Sequence, residues 1–411
     1  MRIALPIART GSQRGAMLVP VALALLALTI LSAVIVNYGI MVVARNQVQN
    51  SVDAAALAGA TALAFESHSD PTPGGPAYTA AIALAAENPV WGEAADIADG
   101  DIEFSTCPSV FSTGGTGITI NECIQVSAYR AERSADRNNA IPTFLSGLLG
   151  PWMSVSASAT GYARDANVTD CLKPFAIADR WVEHYPTDGD WTPAARFDMA
   201  VPPLFERDDY SFPGDADEGT GFTIDAEFGQ RVTLTLATAG GPITEIKPWR
   251  YLPVQIPGSQ WGANSVGLNT ASCAGEPIAI NRTLNVAIGA AETAVAEALL
   301  DLYEADETAT WNEETQRVED SCADAEEDRC GSMSPRIVAV PLYDPELLAN
   351  QILAGTVTSV RVRNIVGFFI SSVDVGARSV TGYITRHPGM RSAGVTLTDG
   401  ASFLRTSLLV Q

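Results

Sequence analysis

The sequence predicts an α+β protein: a single N-terminal transmembrane helix that continues into an extracytoplasmic helix, a small α+β domain, and then a mostly β, disulfide-containing domain. Three observations carry this prediction. One uncharged apolar segment lies near the start, an alanine-rich segment without proline follows it, and short alternating strands outnumber helices in the remainder. With 47% hydrophobic and 18% charged residues over 411 positions, the composition excludes wholesale disorder.

The apolar segment covers residues 18–36 and contains no charged residue. As a helix it spans about 28 Å, close to the roughly 30 Å of a bilayer's hydrocarbon core. A cleaved signal peptide is the alternative, although its apolar region is usually shorter. We therefore expect residues 15–44 to form a transmembrane helix, anchored by Leu18, Leu23, Leu26, Ile30 and Val36.

The charges on either side of this segment predict its orientation. Arg2, Arg9 and Arg14 precede it without any acidic residue, so the positive-inside rule places residues 1–14 in the cytoplasm. All 47 acidic residues and 22 of the 25 basic residues follow it. An ectodomain this acidic repels phosphate backbones, which excludes nucleic acid as a partner.

Residues 45–65 are expected to continue the membrane helix beyond the bilayer, because they are rich in alanine and lack proline. Val48, Val52, Ala55 and Gly59 recur at intervals of four and three residues, which places small side chains along one stripe. Two alternatives remain open from the sequence. The stripe binds a partner helix, or it packs on this chain's own ectodomain.

Two stretches around this helix resemble a known family. Residues 14–19 (RGAMLV), the single apolar span, and residues 47–60 (QVQNSVDAAALAGA) are similar to the N-terminal module of the TadE/TadG-like Flp pilus-assembly proteins. The resemblance implies a membrane-anchored, non-catalytic structural or assembly component of a tight-adherence (Tad) pilus machine. It further implies a bacterial inner-membrane location with a periplasmic ectodomain. The implied partners are the bilayer and other pilus-assembly membrane proteins or pilin-like subunits, with no small-molecule substrate.

Three later runs resemble the ectodomain of TadG-related proteins. They are residues 171–177 (CLKPFAI) with Asp179, residues 336–344 (RIVAVPLYD) and residues 362–370 (VRNIVGFFI). The D-x-S-x-S string of the von Willebrand-type domain that some of these proteins carry is absent from the sequence. The resemblance is therefore to members without that domain.

Gly15 and Ala16 form a candidate processing junction. Prepilin-like members of the family are cut after the glycine and tend to carry a glutamate five residues into the mature chain. Counted from Ala16, that position holds Pro20. This departure favours a permanently anchored assembly component over a pilin-like subunit.

The ectodomain is predicted from composition and alternation. Residues 66–76 are expected to be a flexible loop, residues 77–166 the small α+β domain, and residues 167–411 a mostly β domain with acidic loops. Within these, residues 77–88, 140–149 and 284–303 are predicted helices. Residues 155–162, 231–237, 337–340, 357–369 and 378–384 are predicted strands.

The six cysteines include no C-x-x-C pair, so disulfides are a better interpretation than zinc binding. The preferred pairs are Cys107 with Cys123 and Cys322 with Cys330, which leaves Cys171 for Cys273. Other connectivities stay open.

Sequence signals for catalysis or metal binding are weak. No P-loop, H-E-x-x-H or G-x-S-x-G string occurs, and two of the three histidines, His68 and His387, are expected at the surface, so no enzyme is predicted. Calcium is a minority hypothesis because flexible acidic loops suit its oxygen ligands. It would make the protein an envelope-anchored, calcium-dependent binding or adhesion protein, with candidate ligands Asp208, Asp209, Asp215, Asp217 and Glu218.

Overall fold

The computed structural model describes residues 17–65, 74–105, 123–134, 137–144, 146, 150–184, 191–199, 207–213, 219–236, 242–260, 263–273, 275–287, 292–321, 333–395, 397 and 401–410. Its helices are α1 (Leu18–Phe65), α2 (Pro76–Glu87), α3 (Ile224–Glu227), α4 (Ala263–Ala271), α5 (Glu292–Glu304) and α6 (Pro345–Leu353). Its strands are β1 (Ile102–Ser105), β2 (Cys123–Arg130), β3 (Glu132–Ser134), β4 (Arg137–Asn138), β5 (Ile141–Pro142), β6 (Trp152–Met153), β7 (Val155–Asp165), β8 (Val168–Thr169), β9 (Phe175–Ala178), β10 (Arg231–Leu236), β11 (Arg250–Gln255), β12 (Ile278–Ala279), β13 (Thr283–Val286), β14 (Thr310–Asn312), β15 (Arg317–Glu319), β16 (Ile337–Tyr343), β17 (Ser359–Asp374), β18 (Ser379–Thr385), β19 (His387–Pro388) and β20 (Leu404–Val410).

The first sheet has five strands in the order β1, β2, β7, β20, β19. One of its faces packs on the second half of α1, with α2 beside it. Inward positions of β2 and β7 alternate with outward ones, so Ile124, Val126 and Ala128 are buried while Gln125 points out. An apolar strand face and an alanine-rich helix thus share one core.

The second sheet has seven strands, and its pairings close on themselves. Strands β17, β18, β10, β11, β9 and β16 form a ring in which β16 pairs again with β17, while β13 bridges β11 and β17. Alternate residues of β9 and β16 enter two different cores. Helix α5 covers one core through Val295 and Leu299, and α6 covers the other through Leu348.

Strand β20 pairs with a strand that is more than 200 residues earlier in the chain. Residues Arg405 to Val410 pair antiparallel with β7, so the last described residues complete the first sheet. The predicted division at residue 166 assigned residues 404–410 to the second domain, and here they pair with β7 of the predicted first domain. A short alternating strand carries no sequence signal for which distant strand it pairs with.

Two predicted helices are wrong in part. Residues 283–286 form β13 between β11 and β17, and the described helix in this stretch is Glu292–Glu304. Leu284 is buried in that sheet, so tertiary pairing overrides helical spacing there. Within the helix predicted at 140–149, Ile141 and Pro142 instead form β5, which pairs with β6. Residues 145 and 147–149 of that prediction, and most of the loop predicted at 66–76, lie outside the described residues.

The contact between α1 and the first sheet is a backbone contact. A Cβ atom on Gly161 of β7 would lie 2.1 Å from the carbonyl oxygen of Ala56 and 2.9 Å from the Cβ of Ala60. Real Cβ atoms do not approach backbone this closely. Glycine at this position therefore sets how near the helix lies to the sheet.

We expect Gly161→Val to lift α1 from the sheet and to lower the free energy of unfolding by at least about 2 kcal/mol, because neither backbone can yield. The measurement is denaturant unfolding of the full chain in detergent. Gly100→Ala is the matched control, since a Cβ there meets nothing within 4 Å. Equal stability of the two variants would contradict the close contact.

Candidate functional site: helix α1 and its docking groove

Helix α1 is a single uninterrupted helix of 48 residues, about 72 Å long. Its first part has a mean hydropathy of 2.7 over 18 residues, of which only 6% are buried. The predicted anchor positions Leu18, Leu23, Leu26 and Val36 are exposed there, and Ile30 is partly exposed. The helix is thus long and apolar enough to cross a membrane. Gly15 and Ala16 lie outside the described residues.

The second part of α1 lies in a groove, here called the docking groove, formed by β2, β7, β20 and α2. Val48, Val52 and Ala55 are 0% exposed, and Gly59 is buried. A Cβ on Gly59 would lie 2.4 Å from the Cδ1 of Ile124. The small-residue stripe therefore faces this chain's own sheet. That position supports the intramolecular alternative and leaves these side chains no surface for a partner.

Polar contacts fix the docked part along its length. The Ser51 hydroxyl donates to the carbonyl oxygen of Ala85 (3.2 Å), and the backbone N–H of Trp91 donates to Oε1 of Gln47 (2.9 Å). At the C-terminal end, Nη1 of the buried Arg386 donates to the carbonyl oxygen of Ala64 (3.0 Å). A cation there donates a hydrogen bond to a terminal carbonyl and interacts favourably with the negative end of the helix dipole. Arg386 follows β18, so the second sheet caps the anchor helix.

The only polar side chain buried in the first part of α1, among the described residues, is Asn37. Its Nδ2 donates to the carbonyl oxygen of Phe144 (3.1 Å), and its Oδ1 accepts from the N–H of Phe144 (2.7 Å). Both ends of the carboxamide are thereby paired, which an apolar environment requires. Asn37, Gly161 and Arg386 were not among the residues predicted from the sequence. Of these three, only Asn37 is distinguished in the sequence, because it is the first polar residue after the apolar run.

Cys171 and Cys273 form a disulfide with their Cα atoms 4.5 Å apart. The bond ties the segment before β9 to the end of α4. Cys123 is also disulfide-bonded and fully buried in β2. Cys107, Cys322 and Cys330 lie outside the described residues.

Two of the calcium candidates are described, and both have other contacts. Asp208 is buried, and its two carboxylate oxygens accept the backbone N–H groups of His184 (2.8 Å) and Asp198 (2.7 Å). Asp209 is exposed, with its Oδ2 3.3 Å from Nε2 of His184. Within the described residues, no group of three or more His, Cys, Asp or Glu side chains could hold a metal ion. Asp215, Asp217 and Glu218 lie outside that part of the chain.

The surface position predicted for His387 is wrong. It lies in β19 and is buried, and burial lowers the pKa of its imidazole to about 4. Its Nδ1 donates to the carbonyl oxygen of Pro388 (2.8 Å), which holds the ring in place, while desolvation favours the neutral form. His68 lies outside the described residues.

The three runs singled out in the ectodomain sequence come together as neighbouring strands. Strand β9 pairs parallel with β16, and β16 pairs antiparallel with β17. Their polar residues hold the surrounding loops: Arg363 binds Asp344 (2.7 Å), and the buried Arg336 donates to the carbonyl oxygens of Asp306 and Ala309 (both 2.8 Å). These runs therefore build the centre of the second sheet.

Asp179, directly after β9, is fully buried. Its Oδ1 accepts the N–H groups of Phe222 and Arg180 (both 2.9 Å), and its Oδ2 accepts the hydroxyl of Tyr210 (3.0 Å). Desolvation outweighs these bonds and raises the pKa of the carboxyl to about 7. A Cβ on Gly221 would lie 2.6 Å from the carboxylate, so glycine there makes room for it.

The raised pKa predicts a pH-dependent stability. Below about pH 4 the Asp179 carboxyl is protonated in both folded and unfolded chains, so the full stabilisation by the protonated group is present in the free energy of unfolding. Between about pH 4 and pH 7 only the unfolded chain releases the proton, and roughly 4 kcal/mol is lost before the dependence levels off. Asp179→Asn should remove this loss. The measurement is the free energy of unfolding of both chains from pH 4 to pH 8, and a constant difference would contradict the prediction.

Comparisons with known proteins relate only the anchor helix to a family. A search of curated proteins and a search of solved structures each returned no match. Residues 15–62 match the family model described as "Putative Flp pilus-assembly TadE/G-like". The matched segment contains the exposed apolar part of α1 and nearly all of the part in the docking groove, so the similarity to TadE/G-like pilus-assembly proteins covers the anchor helix.

Proposed function

We propose that this protein is a membrane-anchored, non-catalytic structural or assembly component of a Flp-type tight-adherence pilus machine. The observation that carries the proposal is the coincidence of the family match with helix α1. The matched residues 15–62 hold both the exposed apolar part and the docked part of that helix. The family's common element is thus the device that would join a bilayer to a folded ectodomain.

The distribution of exposed surface supports the anchoring role. Large apolar side chains are exposed along the first part of α1, where water would make them unfavourable and lipid would not. The arginines before this part favour a cytoplasmic N-terminus, and the acidic ectodomain would then lie in the periplasm, held at the inner membrane. Partners among the pilus components would meet surfaces other than the buried stripe.

The polar residues of the ectodomain support a non-catalytic role. The buried carboxylates Asp179 and Asp208 accept hydrogen bonds from the backbone of neighbouring loops, and Asp344 pairs with Arg363. Such groups hold loops in position.

The anchor would also be permanent, because Pro20 stands where cleaved members of the family tend to carry a glutamate. Intact mass of the protein from host membranes tests this: a chain that begins at Ala16 would refute permanence.

We expect the double substitution Leu23→Arg and Leu26→Arg to release the protein from membranes. Each arginine near the centre of a spanning helix costs about 3 kcal/mol. The measurement is extraction of membranes at alkaline pH followed by flotation. Leu57→Arg is the matched control, because Leu57 is an exposed leucine on the docked part of the same helix. A doubly substituted chain that still floats would contradict the anchor.

The pilus role is tested in the native host. Deletion of the gene should abolish surface pili, and expression of the wild-type chain or the Leu57→Arg chain should restore them. The double-arginine chain should not. Normal pili in the deletion strain would refute the pilus role and leave the membrane anchor untouched.

A further inference from the structure

The hairpin of β5 and β6 exposes two aromatic side chains beside the anchor helix. Phe144 is 54% exposed and Trp152 is 49% exposed, while Ile141 on the opposite side is buried in the core of the first sheet. Pro142 pairs with Trp152 within the hairpin, and the N–H of Thr143 donates to the carbonyl oxygen of Pro151 (3.2 Å). Exposed aromatic rings are thus held on an ordered framework.

The hairpin is fixed to α1 at a defined height. Asn37 makes both of its hydrogen bonds to the backbone of Phe144. Asn37 lies eight residues before Arg45, the first charged residue after the apolar run, which corresponds to about 12 Å along the helix toward the N-terminus. Phe144 is therefore held at the level where α1 still exposes Val36 and Tyr38.

The chemistry of the hairpin suits lipid. No Asp, Glu, Lys or Arg occurs between Arg137 and Arg164, in a chain whose ectodomain is otherwise strongly acidic. Three of its described polar groups are paired: the Thr143 hydroxyl donates to the carbonyl oxygen of Gly150, and the backbone N–H and carbonyl oxygen of Phe144 both bond Asn37. Tryptophan favours the interface between hydrocarbon and headgroups, where its ring is apolar and its N–H meets water.

We propose that this hairpin is a second membrane contact, which inserts Phe144 and Trp152 into the interfacial layer of the bilayer that α1 crosses. The inference rests on the proposed membrane anchor. Continuity with the exposed apolar surface of α1 selects lipid as the occupant. A single helix leaves a protein free to tilt about its exit point, whereas a second contact beside it fixes the orientation of the ectodomain.

The experiment places the full chain in phosphatidylcholine vesicles and compares tryptophan emission with that in vesicles of brominated phosphatidylcholine, which quenches rings in contact with lipid. Trp152→Phe should remove the larger part of the lipid-dependent quenching. Trp91→Phe is the matched control. Trp91 is 43% exposed and also lies beside α1, but it binds Gln47, about 15 Å further from the bilayer along the helix. The Trp91→Phe substitution should leave the lipid-dependent quenching unchanged.

Flotation of the same vesicles separates this inference from the anchor. A chain that floats and whose quenching survives Trp152→Phe overturns the hairpin contact and leaves the anchor intact. A chain that does not float overturns both. Bromine placed near the headgroups should quench Trp152 more than bromine near the bilayer centre, and the reverse order would also overturn an interfacial position.

Discussion

The structure depends on one constraint, which is that helix α1 joins an exposed apolar part to a buried, docked part without a break. Its first part carries leucine, valine and isoleucine on all sides, and the Thr29 hydroxyl is satisfied within the helix by the carbonyl oxygen of Leu25 (2.8 Å). Its second part carries alanine and glycine, which let β7 approach to backbone contact at Gly161. Because the helix is continuous, packing in the docking groove also sets where the ectodomain lies relative to the apolar part.

This packing needs segments that are far apart in the chain. Strand β7 offers one edge to β2 and the other to β20, which comes from residues 404–410. That second edge stays unpaired until residues 404–410 have been made. The last turn of α1 likewise waits for Arg386 from beyond β18. Most strands of the first sheet therefore come early in the sequence, but the sheet is completed late in folding because its contacts are long-range.

Buried polar groups in the second sheet have a common use. Asp179, Asp208 and Arg336 each bond backbone groups that lie outside the regular strands. These bonds offset part of the cost of taking a charge out of water, and for Asp179 the remaining cost appears as a raised pKa. The acidic character of the chain is thus divided between a solvated surface and a few carboxylates that hold loops.

The sequence by itself determined the features that depend on local composition. The apolar run of residues 18–36, the helical continuation to Phe65, the alternation of β10 and the apolar run of β16 are visible because period and hydrophobicity are local properties. The tertiary structure alone decided where those elements pair. It made residues 284–286 part of a strand where a helix was predicted, placed residues 404–410 beside β7, turned the stripe of Val48 and Gly59 inward, and buried His387. Each of these outcomes rests on contacts between residues far apart in the chain, whose energies no local pattern encodes.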